Sequence, residues 1–198
     1  MKIFFIQILL FASWLLPVKA QTHFYTRLAD SAMVLTAHHV QYDPSYFSIG
    51  YPNGDVPSDK GVCTDVIIRA YRKLGIDLQV KVHEDMHENF DRYPKNWGLS
   101  GPDKNIDHRR VPNLMTFFTK YGIVKTISRD PDDYQPGDIV CWNLRGGITH
   151  IGMVSNERSR DGKRPLIVHN IGSGQVAQDM LFDFKIIGHY RYGGYAGH

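Results

Sequence analysis

Apolar residues recur at helical spacing through the first two-thirds of the chain and at alternating positions afterwards. Phe24, Leu28, Ala32 and Leu35 predict a helix over 24–37. Cys63, Val66, Ile67, Ala70, Tyr71 and Leu74 predict a second, with Asp65, Arg69, Arg72 and Lys73 on the opposite side. A shorter helical stretch follows at 79–90, and Pro112 opens another through Tyr121, as proline does in a first turn. Between these lie an aromatic, turn-rich loop, Tyr42–Lys60, punctuated by Pro52, Gly54 and Pro57, and an irregular segment, Tyr93–Arg110. Four short runs rich in branched and aromatic residues then read as strands: Asp138–Leu144, Ile148–Ser155, Leu166–Asn170 and Lys185–Tyr192. The polar stretch 156–164 closes a hairpin that lays the second of these antiparallel to the third. Helices first and a meander of strands afterwards predict the α+β class.

The 198-residue chain opens with Lys2, an apolar stretch from Ile3 to Leu16, and short residues around Ala20, the pattern of an export signal over 1–20. That apolar stretch is shorter than the roughly 20 residues a spanning helix needs. No later segment reads as a membrane span. The expected mature chain, 21–198, has the length of one domain with one core and shows no repeat or linker. Losing Lys2 and Lys19 takes the formal charge from +3 to +1, which gives no basis for nucleic-acid binding. The expected location is the periplasm or the outside of the cell. Two cysteines, Cys63 and Cys141, are too few for a disulfide scaffold, although one bridge between them would be feasible and would abolish any thiol chemistry.

Cys63 stands where a helix begins, so unpaired backbone N–H groups and the positive end of the helix dipole would favour its thiolate. His150 and His169 sit on strand-like segments. Alternation sets His150 with Gly152 and Val154 on one face, and Ile167 with His169 against Val168 and Asn170, so only one of His169 and Asn170 can face His150. A thiol nucleophile needs a base and a polar group to orient that base. Cys63, His150 and His169 make a chemically complete set, with Asn170 in reserve as the orienting residue. The alternative is that all are packing residues, since free cysteine is among the most buried residue types.

Two further clusters compete. His83-Glu84-Asp85-Met86-His87 matches the pattern in which two zinc ligands flank a glutamate base, but its neighbours Asp85, Glu88, Asn89 and Asp91 read as a solvated face. The segment Asn105–Arg110 is densely polar, and Arg109 and Arg110 could clamp a substrate carboxylate or simply pair with nearby acids.

Gly61-Val62-Cys63-Thr64-Asp65, the run from Asn105 to Asn113, Pro136-Gly137-Asp138, His150-Ile151-Gly152-Met153-Val154 and His169-Asn170-Ile171-Gly172 together resemble a secreted bacterial family, domain of unknown function 1287. That family is in turn similar to the NlpC/p60-type cell-wall cysteine peptidases. The resemblance implies a papain-like fold with N-terminal helices packed on a small antiparallel sheet. It implies Cys63 as nucleophile, His150 as base and His169 as the orienting residue, with Tyr51 and the Cys63 backbone N–H at the oxyanion. The peptidases read Asp-Cys-Ser-Gly where this chain has Val62-Cys63-Thr64-Asp65, which leaves the substrate open and makes Asp65, Arg109 and Arg110 candidate substrate contacts. The expected activity is a cysteine amidohydrolase, monomeric and free of metal or organic cofactor, acting on a cell-wall peptide or peptidoglycan fragment. The alternatives are a non-catalytic wall-binding module and a zinc hydrolase built on His83 and His87.

Overall fold

The computed structural model of the protein describes residues 15–194. Most of the expected export signal, residues 1–14, lies outside the described residues. Helix α1 (Leu15–Leu35) starts earlier than the predicted 24–37 and buries Leu28, Ala32 and Leu35 of the predicted stripe together with Tyr25 and Ala29, while Phe24 is half-buried. Two short strands, β1 (Gln41–Tyr42) and β2 (Lys60–Gly61), pair in parallel and close the base of the loop between them. Helix α2 (Cys63–Arg72) follows, then α3 (Leu78–Asn89), capped by the Asp77 carboxylate on the Gln79 N–H, and α4 (Val111–Tyr121), with Pro112 in its first turn.

Six strands form one antiparallel sheet in the order β3-β8-β4-β5-β6-β7: β3 (Ile123–Val124), β4 (Ile139–Asn143), β5 (Thr149–Arg158), β6 (Pro165–Asn170), β7 (Gln175–Gln178) and β8 (Lys185–Arg191). The α+β class holds. The sequence pattern misses β3 and β7, which are too short to show alternation. It also does not reveal that the last strand returns to lie beside β4.

Both faces of the sheet are covered. Ile139, Cys141, Ile151, Met153 and Val168 pack against the helices in the main core. Val140, Trp142, Val154 and Ile167 look the other way, into a smaller core with Tyr134, Met180 and Leu181. Helix α2 lies inside the molecule, and Asp65, Arg69 and Arg72 on its charged side are buried or half-buried while Lys73 is exposed. Arg69 forks onto Asp55 and reaches the Lys60 carbonyl, and Arg72 holds the Gly54 carbonyl. The loop of residues 43–59 therefore folds back over the helix. It is fastened further by Gln79, which binds both the carbonyl of Gly50 and the N–H of Gly54, and by Asn105, whose amide oxygen accepts from the Ile49 N–H.

Among the described residues, no helix is long and apolar enough to cross a membrane.

Candidate active site

Cys63 is the first residue of α2, preceded by Val62 in extended conformation. The Val62 N–H donates to the Asp65 carboxylate at 2.7 Å, one turn on, so the start of the helix is held by its own third residue. Backbone N–H groups of Ile151, Thr64 and Cys63 lie against the sulfur and favour its ionised form. Burial outweighs them and pushes the Cys63 thiol up to about 12. A helix start alone thus does not yield a low-pKa thiol here, because the group is removed from water. Cys141, buried in the same core and close enough to feel the charge of Cys63, is raised as well, and both cysteines are free thiols.

Ile151, whose N–H meets the sulfur, is the residue after His150. His150 lies opposite Trp142 across β4–β5, with the two rings 6.0 Å apart, and is almost wholly buried. Its Nε2 is 3.0 Å from Nδ1 of His169, with the ring planes nearly perpendicular. Of the two candidate orienting residues, it is therefore His169 that meets His150. Asn170 turns to the other face and donates to the Gly61 carbonyl at 3.3 Å, tying the end of β6 to the chain just before Cys63. Burial, reinforced by the neighbouring His169, lowers His150 to about 3, and burial lowers His169 too. At neutral pH the thiol and both imidazoles are neutral. His169 continues outward, its Nε2 2.8 Å from Oε1 of Gln178 on β7. Gln178 is a partner that sequence reasoning missed, because its strand carries no pattern of its own.

Tyr51, the expected oxyanion residue, packs edge-on against His83 with ring centroids 5.4 Å apart, and its hydroxyl feels Glu84 and Asp77. The tyrosine beside the sulfur is Tyr42, placed opposite Gly61 by the β1–β2 pairing. Burial raises its hydroxyl, and the charges of Cys63 and Asp65 add to the shift. Counting residues back from the cysteine selects Tyr51, but the loop runs outward and returns, so the closer residue in space is the more distant one in sequence.

Asp65 and Arg109 are spent on each other. Arg109 Nε and Nη2 donate to the two Asp65 oxygens at 2.9 and 3.0 Å, both side chains being about 97% buried, and Nη1 reaches the Ser45 carbonyl. Arg109 thus braces the turn that presents Cys63 and is not free to clamp a substrate. Arg110 stacks 4.1 Å over Trp97. In the zinc-like motif, His83 Nδ1 meets the buried Asp107 carboxylate at 2.9 Å and His87 is exposed, while Asp85 collects hydrogen bonds from Tyr93, Tyr121, Asn89 and Lys120. Among the described residues, no group of three or more His, Cys, Asp or Glu side chains could hold a metal ion.

The model of the family described as domain of unknown function (DUF1287) matches residues 29–192, which takes in the end of α1 and every element from β1 to β8. This chain belongs to DUF1287. The uncharacterized protein YijF of Escherichia coli (strain K12) is 50% identical to this chain over 175 residues, covering 88% of this chain and 85% of that protein. In this DUF1287 member the Cys63 turn, the two imidazoles and the Asp65–Arg109 brace all fall within the matched region.

Proposed function

We propose that this protein is an exported cysteine amidohydrolase, papain-like in arrangement, that cleaves an amide bond in bacterial cell-wall peptides. The observation that carries the reading is the sulfur of a helix-initiating cysteine held against the peptide N–H that follows His150, while His150 is itself hydrogen-bonded to His169. The thiol of α2 thus meets the backbone of the strand that carries His150, and the His150 imidazole meets His169 on the next strand. In the mechanism, the Nδ1 lone pair of His150 accepts the thiol proton as the sulfur attacks the scissile carbonyl carbon. The resulting oxyanion is met by first-turn backbone N–H groups of α2 and the Tyr42 hydroxyl. The proton passes from His150 to the departing amine, the C–N bond breaks and a thioester remains. Water, activated by the same imidazole, then releases the acid. Because thiol and imidazole are both neutral at rest, proton transfer accompanies attack. The sulfur and imidazole share no hydrogen bond in this resting arrangement, and catalytic contacts of this kind tighten when substrate binds.

A second reading, a wall-binding module without turnover, is favoured by the burial of all three groups. One experiment separates them. Purified protein is incubated with wall-peptide fragments and new amines are counted, alongside Cys63→Ala and with the exposed residue His87 changed to Ala as a control. Release of amines by the parent and the His87 variant but not by Cys63→Ala supports the hydrolase. Fragment binding without release, unchanged in Cys63→Ala, would establish the binding module and refute the hydrolase.

A further inference from the structure

Neutral imidazole carries one proton and two nitrogens, so a buried pair of histidines must decide which nitrogen of each is bare. His150 Nε2 and His169 Nδ1 are 3.0 Å apart and share one hydrogen. In one arrangement His150 Nε2–H donates to a bare His169 Nδ1, which leaves the lone pair of His150 on Nδ1. In the other His169 donates, and His150 Nδ1 then holds a proton and cannot accept one. Only the first arrangement supplies a base at Nδ1, and nothing within the pair itself prefers it.

The choice is made one residue further out. His169 has no exposed surface, so a proton on its Nε2 needs an acceptor within the protein. Gln178 Oε1 stands 2.8 Å away and favours a proton there. It reaches across from the edge strand β7, two residues along from Val176, the cross-strand partner of His169. We infer that Gln178 is a positioning residue whose amide oxygen holds the proton of His169 on Nε2 and so leaves Nδ1 of His150 bare to act as the base. This rests on the hydrolase reading for its purpose, but the proton arrangement can be observed without any turnover. Gln178 is exposed on its outer side, so replacing it leaves both cores untouched.

The test is long-range proton–nitrogen correlation spectroscopy on the full chain labelled with ¹⁵N-histidine, which distinguishes bare from protonated ring nitrogens. The parent should show Nε2–H on both His150 and His169. Gln178→Met, which removes the acceptor, should bring in the Nδ1–H form of His169 and lower the ratio of bare to protonated His150 Nδ1 roughly fivefold, the effect of losing one ordinary hydrogen bond. Gln178→Glu keeps an acceptor and should restore the parent pattern, while protonation of His169 moves to higher pH. A parent spectrum with a proton on His150 Nδ1, or a Gln178→Met spectrum identical to the parent, would overturn the inference. If the spectra behave as stated but Cys63→Ala leaves amide release unchanged, the hydrolase reading falls and the role of Gln178 in setting the tautomers stands.

Discussion

Replacing Arg109 with leucine should destabilise the protein by about 3–5 kcal/mol, because it strands the Asp65 carboxylate in the interior without its partner. The two side chains are 2% and 3% exposed and meet through a two-pronged contact of 2.9 and 3.0 Å, so water cannot replace the guanidinium. For a chain of this size a loss of that order lowers the melting temperature by roughly 10 °C. Urea unfolding at pH 7 measures it as a fall in midpoint at unchanged slope. The exposed pair Arg158–Asp132, at 47% and 74% exposure, is the contrast, and Arg158→Ala should fall within the scatter of surface substitutions. In a double-mutant cycle, Asp65→Asn with Arg109→Leu should be less destabilised than the sum of the single changes by more than about 1 kcal/mol, since the uncompensated charge is gone. Because Asp65 also accepts the Val62 N–H, Arg109→Leu should loosen the first turn of α2 and speed alkylation of Cys63. A loss under about 1 kcal/mol, with an additive double variant, would refute the claim that this pair braces the site.

Three other outcomes follow. His108 is buried with its Nδ1 unpartnered, and burial lowers its pKa to about 3; it stays neutral when folded but gains a proton when unfolded below about 6.5, so its stabilisation is present above that pH and is lost as pH falls toward 3. His108→Leu should therefore remove about 2 kcal/mol of the stability lost between pH 7 and pH 5, and an unchanged pH slope in denaturant titrations would show that His108 is not buried neutral. If the protein is a thiol hydrolase, Tyr42→Phe should lower its rate of amide release by roughly 10²-fold, as loss of an oxyanion donor does, and Tyr51→Phe should leave it unaltered; equal effects would show that the tyrosine assignment fails. Gly152→Ala should destabilise by about 1–3 kcal/mol, measured by thermal unfolding, because its Cβ would come within 2.6 Å of Ile167 Cγ2 and 3.2 Å of His169 Cβ.

The fold class was legible because amphipathic helices and alternating strands are local patterns, each read from a dozen residues or fewer. The pairing of His150 with His169 was legible in part for the same reason. Alternation showed that only one of His169 and Asn170 could face His150; the β5–β6 register puts His169 on that face and Asn170 on the other, and the 3.0 Å contact follows. Tyr42 was passed over because residue spacing measures distance along the chain, and the 43–59 loop makes that a poor guide to distance in space. Arg109 read as a free clamp because sequence shows a charge without its partner 44 residues away.

By itself, then, the sequence determined the order of the main helices and strands, the cysteine at the head of an amphipathic helix, and that only one of His169 and Asn170 faces His150. These depend on backbone periodicity and on the opposite directions of successive side chains in a strand. Tertiary structure decided which tyrosine approaches the sulfur, that Asp65 and Arg109 neutralise each other, that Gln178 meets His169, and that the thiol and imidazoles rest uncharged. Those outcomes turn on desolvation and on contacts between distant segments, and both arise only when the chain has closed around them.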